Sequence, residues 1–210
     1  MKKSITKNCV ILMKKSNMLT IIIFSVLVLA TYIFNLVFFW GELSFGYITN
    51  AMIFSVLIEV GISGLIATFV CKILPDKWFS DKVKIFDVSK REVGFYVNVL
   101  KIKKWKDKTL ELGQLNGFKK DKLDSDCNID YLKKFVIECN CGFIGHLFSI
   151  ILGSLIIFWY PKAIMLTMGV PTIIINFIIN YMSVAILRFN IPRLKTAIKF
   201  AERKNKSSND

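Results

Sequence analysis

Few residues in this chain have both the chemistry and the setting to do more than pack. His146 is the only histidine, and it stands at the head of an apolar run that begins at Phe143. A neutral imidazole near a membrane interface can serve as a general base at physiological pH. It can equally bond a carbonyl or a neighbouring helix, and the sequence leaves both readings open. Glu138 precedes it by about 80° around the same helix, just over two turns toward the charged side. It would orient the ring only through a bend, a water or a substrate.

Glu59 is a carboxyl in the middle of another apolar run, a costly position unless it is neutral, paired or facing a wet cavity. It marks either a functional site or a helix tie to Asn176 or Asn180 of the last apolar run. Lys103-Lys104-Trp105-Lys106-Asp107-Lys108 is a dense basic cluster around one tryptophan and one carboxylate. Such a cluster captures an anionic headgroup or the phosphates of an acyl-CoA or acyl-carrier donor, or simply anchors the chain on the cytoplasmic side.

Cys127, Cys139, Cys141 and His146 have the ligand types for zinc, but their spacing fits no standard knuckle, so no metal and no cofactor is expected. An odd count of five cysteines without a CxxC pair argues against a disulfide framework. P-loop, GxSxG, HExxH and GxGxxG arrangements are missing, and the basic residues form no nucleic-acid module.

The elements that would hold these groups follow from composition. At 54% hydrophobic and a mean hydropathy of +0.51, 210 residues carry more apolar surface than one soluble core can bury. A net charge of +14 then requires the basic residues to be segregated from the apolar ones. Met18 to Trp40 has no charge, Gly or Pro and is long enough to cross a bilayer. It outruns the apolar region of a signal peptide. Tyr47 to Leu74, Phe143 to Tyr160 and Ala163 to Leu187 are the other apolar stretches. In lipid, stretches this long read as helices.

The expected fold is therefore all-α: a polytopic integral membrane protein with four transmembrane helices plus interfacial amphipathic helices. Its parts are a basic tail (1–17), a first transmembrane hairpin (18–74), a cytoplasmic and interfacial region (75–142), a second hairpin (143–187) and a basic tail (188–210). With four spans, 28 of the 29 Lys and Arg residues fall on one side, which places both termini in the cytoplasm of a multi-pass cell-membrane protein. Phe95 to Lys108 interleaves apolar and basic residues, as does Arg193 to Lys206 with Leu194, Ile198 and Ala201 at helical spacing. Both read as helices lying in the membrane surface.

Five stretches, in order, resemble the glycosyl-4,4'-diaponeurosporenoate acyltransferase family. They are Leu74-Pro75-Asp76-Lys77-Trp78-Phe79, Lys104-Trp105-Lys106-Asp107-Lys108, Gln114-Leu115-Asn116, Glu138 with His146, and Arg188-Phe189-Asn190-Ile191-Pro192-Arg193-Leu194. The family's pattern often has an acid three positions before the histidine and an aromatic after it, where this chain has Phe143 and Leu147.

The resemblance implies an O-acyltransferase of the carotenoid-biosynthesis type that esterifies a sugar hydroxyl of a glycosylated lipid with a fatty acyl chain. It implies His146 as base, Glu138 as an orienting carboxylate, Asn190 and Arg193 as polar contacts, and Lys104, Trp105, Lys106 and Asp107 at the donor or headgroup site. The partners would be a lipid or glycolipid acceptor and an acyl-CoA or acyl-carrier donor, with no nucleic acid. The competing class is a non-enzymatic accessory or permease-type protein in which Glu59 and His146 only tie helices together.

Overall fold

A computed structural model describes residues 22–106 and 129–207. The tail 1–17 and Asp107, Gln114, Leu115, Asn116 and Cys127 thus lie outside the described residues. Among those described the chain is helical, without strands. Helix α1 spans Ile22–Phe38, α2 Phe45–Ile73, α3 Lys90–Asn98 and α4 Ile129–Ser154, continued as a 3-10 helix over Leu155–Trp159. After the Tyr160-Pro161 turn, the short α5 (Lys162–Ile164) and a π-helical turn (Met165–Gly169) lead into α6 (Val170–Ser207).

Three of these helical stretches are long and apolar enough to cross a membrane: Phe45–Ile66, Ile129–Trp159 and Lys162–Arg203. Helix α1 is apolar but shorter, with 17 residues described. Its outward face carries Ile22, Val26, Leu29, Ile33, Val37 and Phe38, all exposed. A face like that suits lipid rather than water.

Helix α4 is the centre. It runs antiparallel to α6, with Leu132, Phe135, Val136 and Cys139 packed against Leu187, Ile191, Leu194 and Ile198, then Gly142 against Leu187, His146 opposite Asn180 and Ser149 opposite Asn176. Cys141, Gly145, Ser149 and Gly153 are buried at four-residue intervals. Small side chains at that spacing let helix backbones approach closely in a bilayer.

Helix α2 packs on another side of α4. The turn after α1 and the start of α2 meet the α4–α6 connection in a single cluster, with Phe39, Ile48 and Met52 against Ile156, Tyr160, Ile164 and Met168. Asn35 is fully buried there; its amide donates to Thr167 O at 2.9 Å and accepts from Thr167 Oγ1 at 2.6 Å. Thr167 lies inside the π turn, so the irregular backbone is where α1 is clamped.

Two expected surface helices turn out differently. The stripe Leu194, Ile198 and Ala201 does not face lipid but packs on α4. That contact carries α6 as one helix through Pro192, even though proline removes the bond to the Arg188 carbonyl. Phe95 to Lys108 is likewise not one helix: α3 ends at Asn98, and Lys101 takes a left-handed conformation (φ 49°) ahead of a 3-10 turn over Ile102–Lys104. Tyr96 and Ile102 are buried against Ala185, Ile186 and Phe189 of α6, with Leu100 and Trp105 packed alongside. The aromatic residues that resembled a membrane face mostly anchor this segment to α6.

Candidate functional site

His146 and the two asparagines come together between α4 and α6. His146 Nδ1 lies 2.8 Å from Asn180 Oδ1. Asn180 Nδ2 donates to Asn176 O at 3.0 Å and to Asn176 Oδ1. Asn176 Nδ2 in turn donates to Ser149 O at 3.1 Å. Both asparagines are buried, so each amide is held on two sides in surroundings where an unsatisfied group would be costly.

Glu59 reaches the far end of this chain from α2. A Cβ built on Gly153 would lie 2.7 Å from Glu59 Oε2 and closer still to Asn176 Nδ2, so glycine is what lets the two meet. Both Glu59 oxygens are buried and have no hydrogen-bond partner among the described residues. The amide nitrogens of Asn176 and Asn180 are committed to Ser149 and Asn176 instead. The direct tie from Glu59 to an asparagine that the sequence offered is therefore not formed. Gly153→Ala should force the asparagine chain apart and lower stability by about 1–3 kcal/mol. Unchanged thermal melting of that variant in detergent would contradict this packing.

Glu138 is half-buried and eight residues from His146 on the same helix, about 12 Å along the axis. The residue on the ring is Asn180, not Glu138. Helix α4 begins at Ile129 and carries the apolar run from Phe143 within it. His146, at the head of that run, is near the middle of a continuous helical stretch.

Asn190 and Arg193 are on α6, about 15 and 20 Å along the axis from Asn180. Arg193 is exposed, with its guanidinium 4.0 Å from the Phe189 ring centroid. They are not brought to the imidazole. Trp105 Nε1 donates to Leu100 O at 2.7 Å while its ring packs with the α3 cluster, which leaves Lys103 and Lys104 exposed on that turn and Lys106 half-buried after it.

Several residues that organise the region had been given no role from the sequence. Arg188 grips Glu92 of α3 through two parallel hydrogen bonds, Nε to Oε1 and Nη2 to Oε2, each 2.7 Å. Tyr96 Oη also donates to Glu92 Oε1 at 2.7 Å. The Arg188 guanidinium stands over Phe143, 4.9 Å from the ring centroid. Burial alone would raise the Glu92 carboxyl, but the bonds from Arg188 and Tyr96 outweigh it and hold the group below its ordinary value. Lys195 Nζ adds a bond to Asp87 Oδ1 at 2.6 Å.

Asn140, buried on α4, donates to Phe79 O at 2.7 Å. This fixes the Pro75 to Phe79 turn against α4, with Phe79 and Phe86 packed on Cys141. An asparagine inside an apolar run was the available signal for Asn35, whereas Asn140 lies just before the run that begins at Phe143. Nothing local could pair Glu92 with Arg188, 96 residues away.

Residues 75–200 match the glycosyl-4,4'-diaponeurosporenoate acyltransferase family. The chain belongs to this family. The matched region includes α3, α4, most of α6 and therefore His146, Asn176, Asn180 and the Arg188 grip, while α1 and α2 lie before it. No curated protein and no solved structure matches the chain. Membership makes it an acyltransferase-family protein and implies, in general terms, an acyl donor and an acceptor.

Proposed function

We propose that the protein transfers a fatty acyl chain from an acyl-CoA or acyl-carrier thioester to a sugar hydroxyl of a membrane glycolipid, with His146 as the base. The observation that carries this reading is that the chain's one histidine lies inside the family-matched region and is held on a buried polar chain between α4 and α6. In the reaction the imidazole takes the hydroxyl proton, the sugar oxygen bonds the acyl carbon, the C–S bond breaks, and the proton passes to the departing thiolate. Lys104 and Lys106 are assigned to the donor's phosphates, with Asn190 and Arg193 at the headgroup end of α6. Glu138 serves as a carboxylate on the approach to the ring rather than as its orienting partner.

The same reading has α1 complete a fourth span and puts both tails and residues 75–142 in the cytoplasm of a multi-pass cell-membrane protein. Support comes from the gathering of the α1–α2 turn and the α4–α6 connection at one end, with exposed Trp40 and Trp159 there and the Arg188, Lys195 and Lys104 groups near the other. Reporters after Lys206 and near Asp124 should signal cytoplasm, and one at Ser44 the exterior. An exterior signal at Asp124 would remove the four-span arrangement. Lipid profiles of cells with and without the gene test the activity: an acylated glycolipid should vanish with it, and identical profiles would count against acyl transfer.

One observation favours the non-enzymatic alternative, an accessory or permease-type protein. The His146 to Asn180 bond ties α4 to α6 whether or not chemistry follows. Substitution by glutamine separates the two.

A further inference from the structure

We infer that Asn180 is the positioning residue for His146, fixing the imidazole as its Nδ1–H tautomer and leaving the basic lone pair on Nε2. The inference deepens the base reading of His146 and rests on it only for its consequence, since the tautomer itself is decided by hydrogen-bond direction.

The direction follows from one end of the chain. Ser149 O is a backbone carbonyl and can only accept, so the Asn176 atom facing it must be the amide nitrogen. Asn176 Oδ1 is then the atom left to face Asn180, and it too can only accept. The Asn180 atom toward it is therefore Nδ2, which also reaches Asn176 O, a second carbonyl. Rotating the Asn180 amide by half a turn would set its oxygen against two other oxygens. Asn180 Oδ1 is consequently fixed toward the ring, 2.8 Å from Nδ1. An oxygen without hydrogens requires a hydrogen on Nδ1, and a neutral ring protonated there has its lone pair on Nε2. Neither asparagine has room to reorient, since both are buried and Asn176 fills the space a Cβ on Gly153 would need.

This arrangement has the logic of a base whose far nitrogen is held by an acceptor so that the near one takes the proton. Here the acceptor is an uncharged amide, which fixes the tautomer without adding a charge inside the membrane.

Because His146 is the only histidine, selective ¹⁵N-histidine labelling of the full chain reports on this ring alone, provided purification uses a histidine-free tag. In bilayers of phosphatidylcholine and phosphatidylglycerol near neutral pH, solid-state spectra should show a protonated Nδ1 and a bare Nε2. Asn180→Leu should lose that preference and admit the Nε2–H form, with acyl transfer falling about 10- to 100-fold, as for other residues that orient a functional imidazole. A wild-type ring protonated mainly at Nε2, or an Asn180→Leu spectrum identical to wild type, would overturn the inference. The wild-type spectrum decides even if the leucine variant fails to fold. Full activity in His146→Gln would instead remove the base reading while leaving a positive tautomer result intact.

Discussion

His146→Gln should lower acyl transfer by about 10² to 10⁴ while the protein inserts and accumulates normally, because that is the usual contribution of a positioned general base. Glutamine is the sharper substitution for a structural reason. Its amide can still donate to Asn180 Oδ1 and preserve the tie between α4 and α6, yet it cannot take a proton near neutral pH. Alanine should abolish activity to the same degree but also leave the buried Asn180 oxygen unsatisfied, at a cost of about 1–3 kcal/mol. Quantifying membrane-inserted protein alongside turnover with a saturating donor separates the two effects. A glutamine variant with normal turnover would leave His146 as a helix tie only.

Arg188→Ala should be the most destabilising single change where α3 meets α6, at about 2–4 kcal/mol, since it breaks a bidentate, partly buried charge pair and leaves the Glu92 carboxylate without its fork. The Arg188 side chain is only 11% exposed and that of Glu92 26%, so the pair is sheltered well beyond a surface ion pair. Lysine at 188 keeps the charge but not the two parallel donors or the flat face over Phe143, and should recover only part of the loss. Hydrogen exchange over Lys90–Asn98 reads the effect directly, because Glu92 anchors α3 to α6.

The same latch has a pH dependence of definite sign. Glu92 is depressed from its ordinary 4.5, so its contribution is fully present above about that pH and is lost as pH falls through the lowered value. Protection of α3 should hold from neutral pH to about 4.5 and decline below it in the wild type, and be weak throughout in Arg188→Ala. Equal protection in the two proteins would contradict the latch.

Much of the framework was legible because hydropathy and charge segregation are strong signals in a membrane chain. Phe45–Ile73 was read within two residues at the start and one at the end. The errors arose where apolar residues face protein instead of lipid. Leu194 and Ile198 have the same spacing whether they meet acyl chains or Leu132 and Val136, and only the partner helix decides between them. In the same way Tyr96 and Trp105 read as interfacial aromatics, yet one is bonded to Glu92 and the other to a backbone carbonyl.

At the candidate site, His146, Asn176 and Asn180 could be picked out singly as polar groups in apolar runs. Their order as a directed chain depends on the antiparallel register of α4 and α6, set by Gly142, Gly145, Ser149 and Gly153. Glu138 was favoured for its charge and its place before His146. A straight helix, however, separates residues eight apart by more than two turns, so the acceptor comes from the facing helix.

The most direct test of acyl transfer at His146 uses the full chain reconstituted in vesicles, a labelled acyl-CoA or acyl-carrier thioester, and a panel of glycolipids that includes carotenoid glycosides. Label should pass into an alkali-labile ester on at least one sugar headgroup with the wild-type protein, and this should fall by about 10² or more with His146→Gln at equal protein. Wild-type vesicles that form no ester with any acceptor, or a glutamine variant that forms it as fast as wild type, would contradict the account.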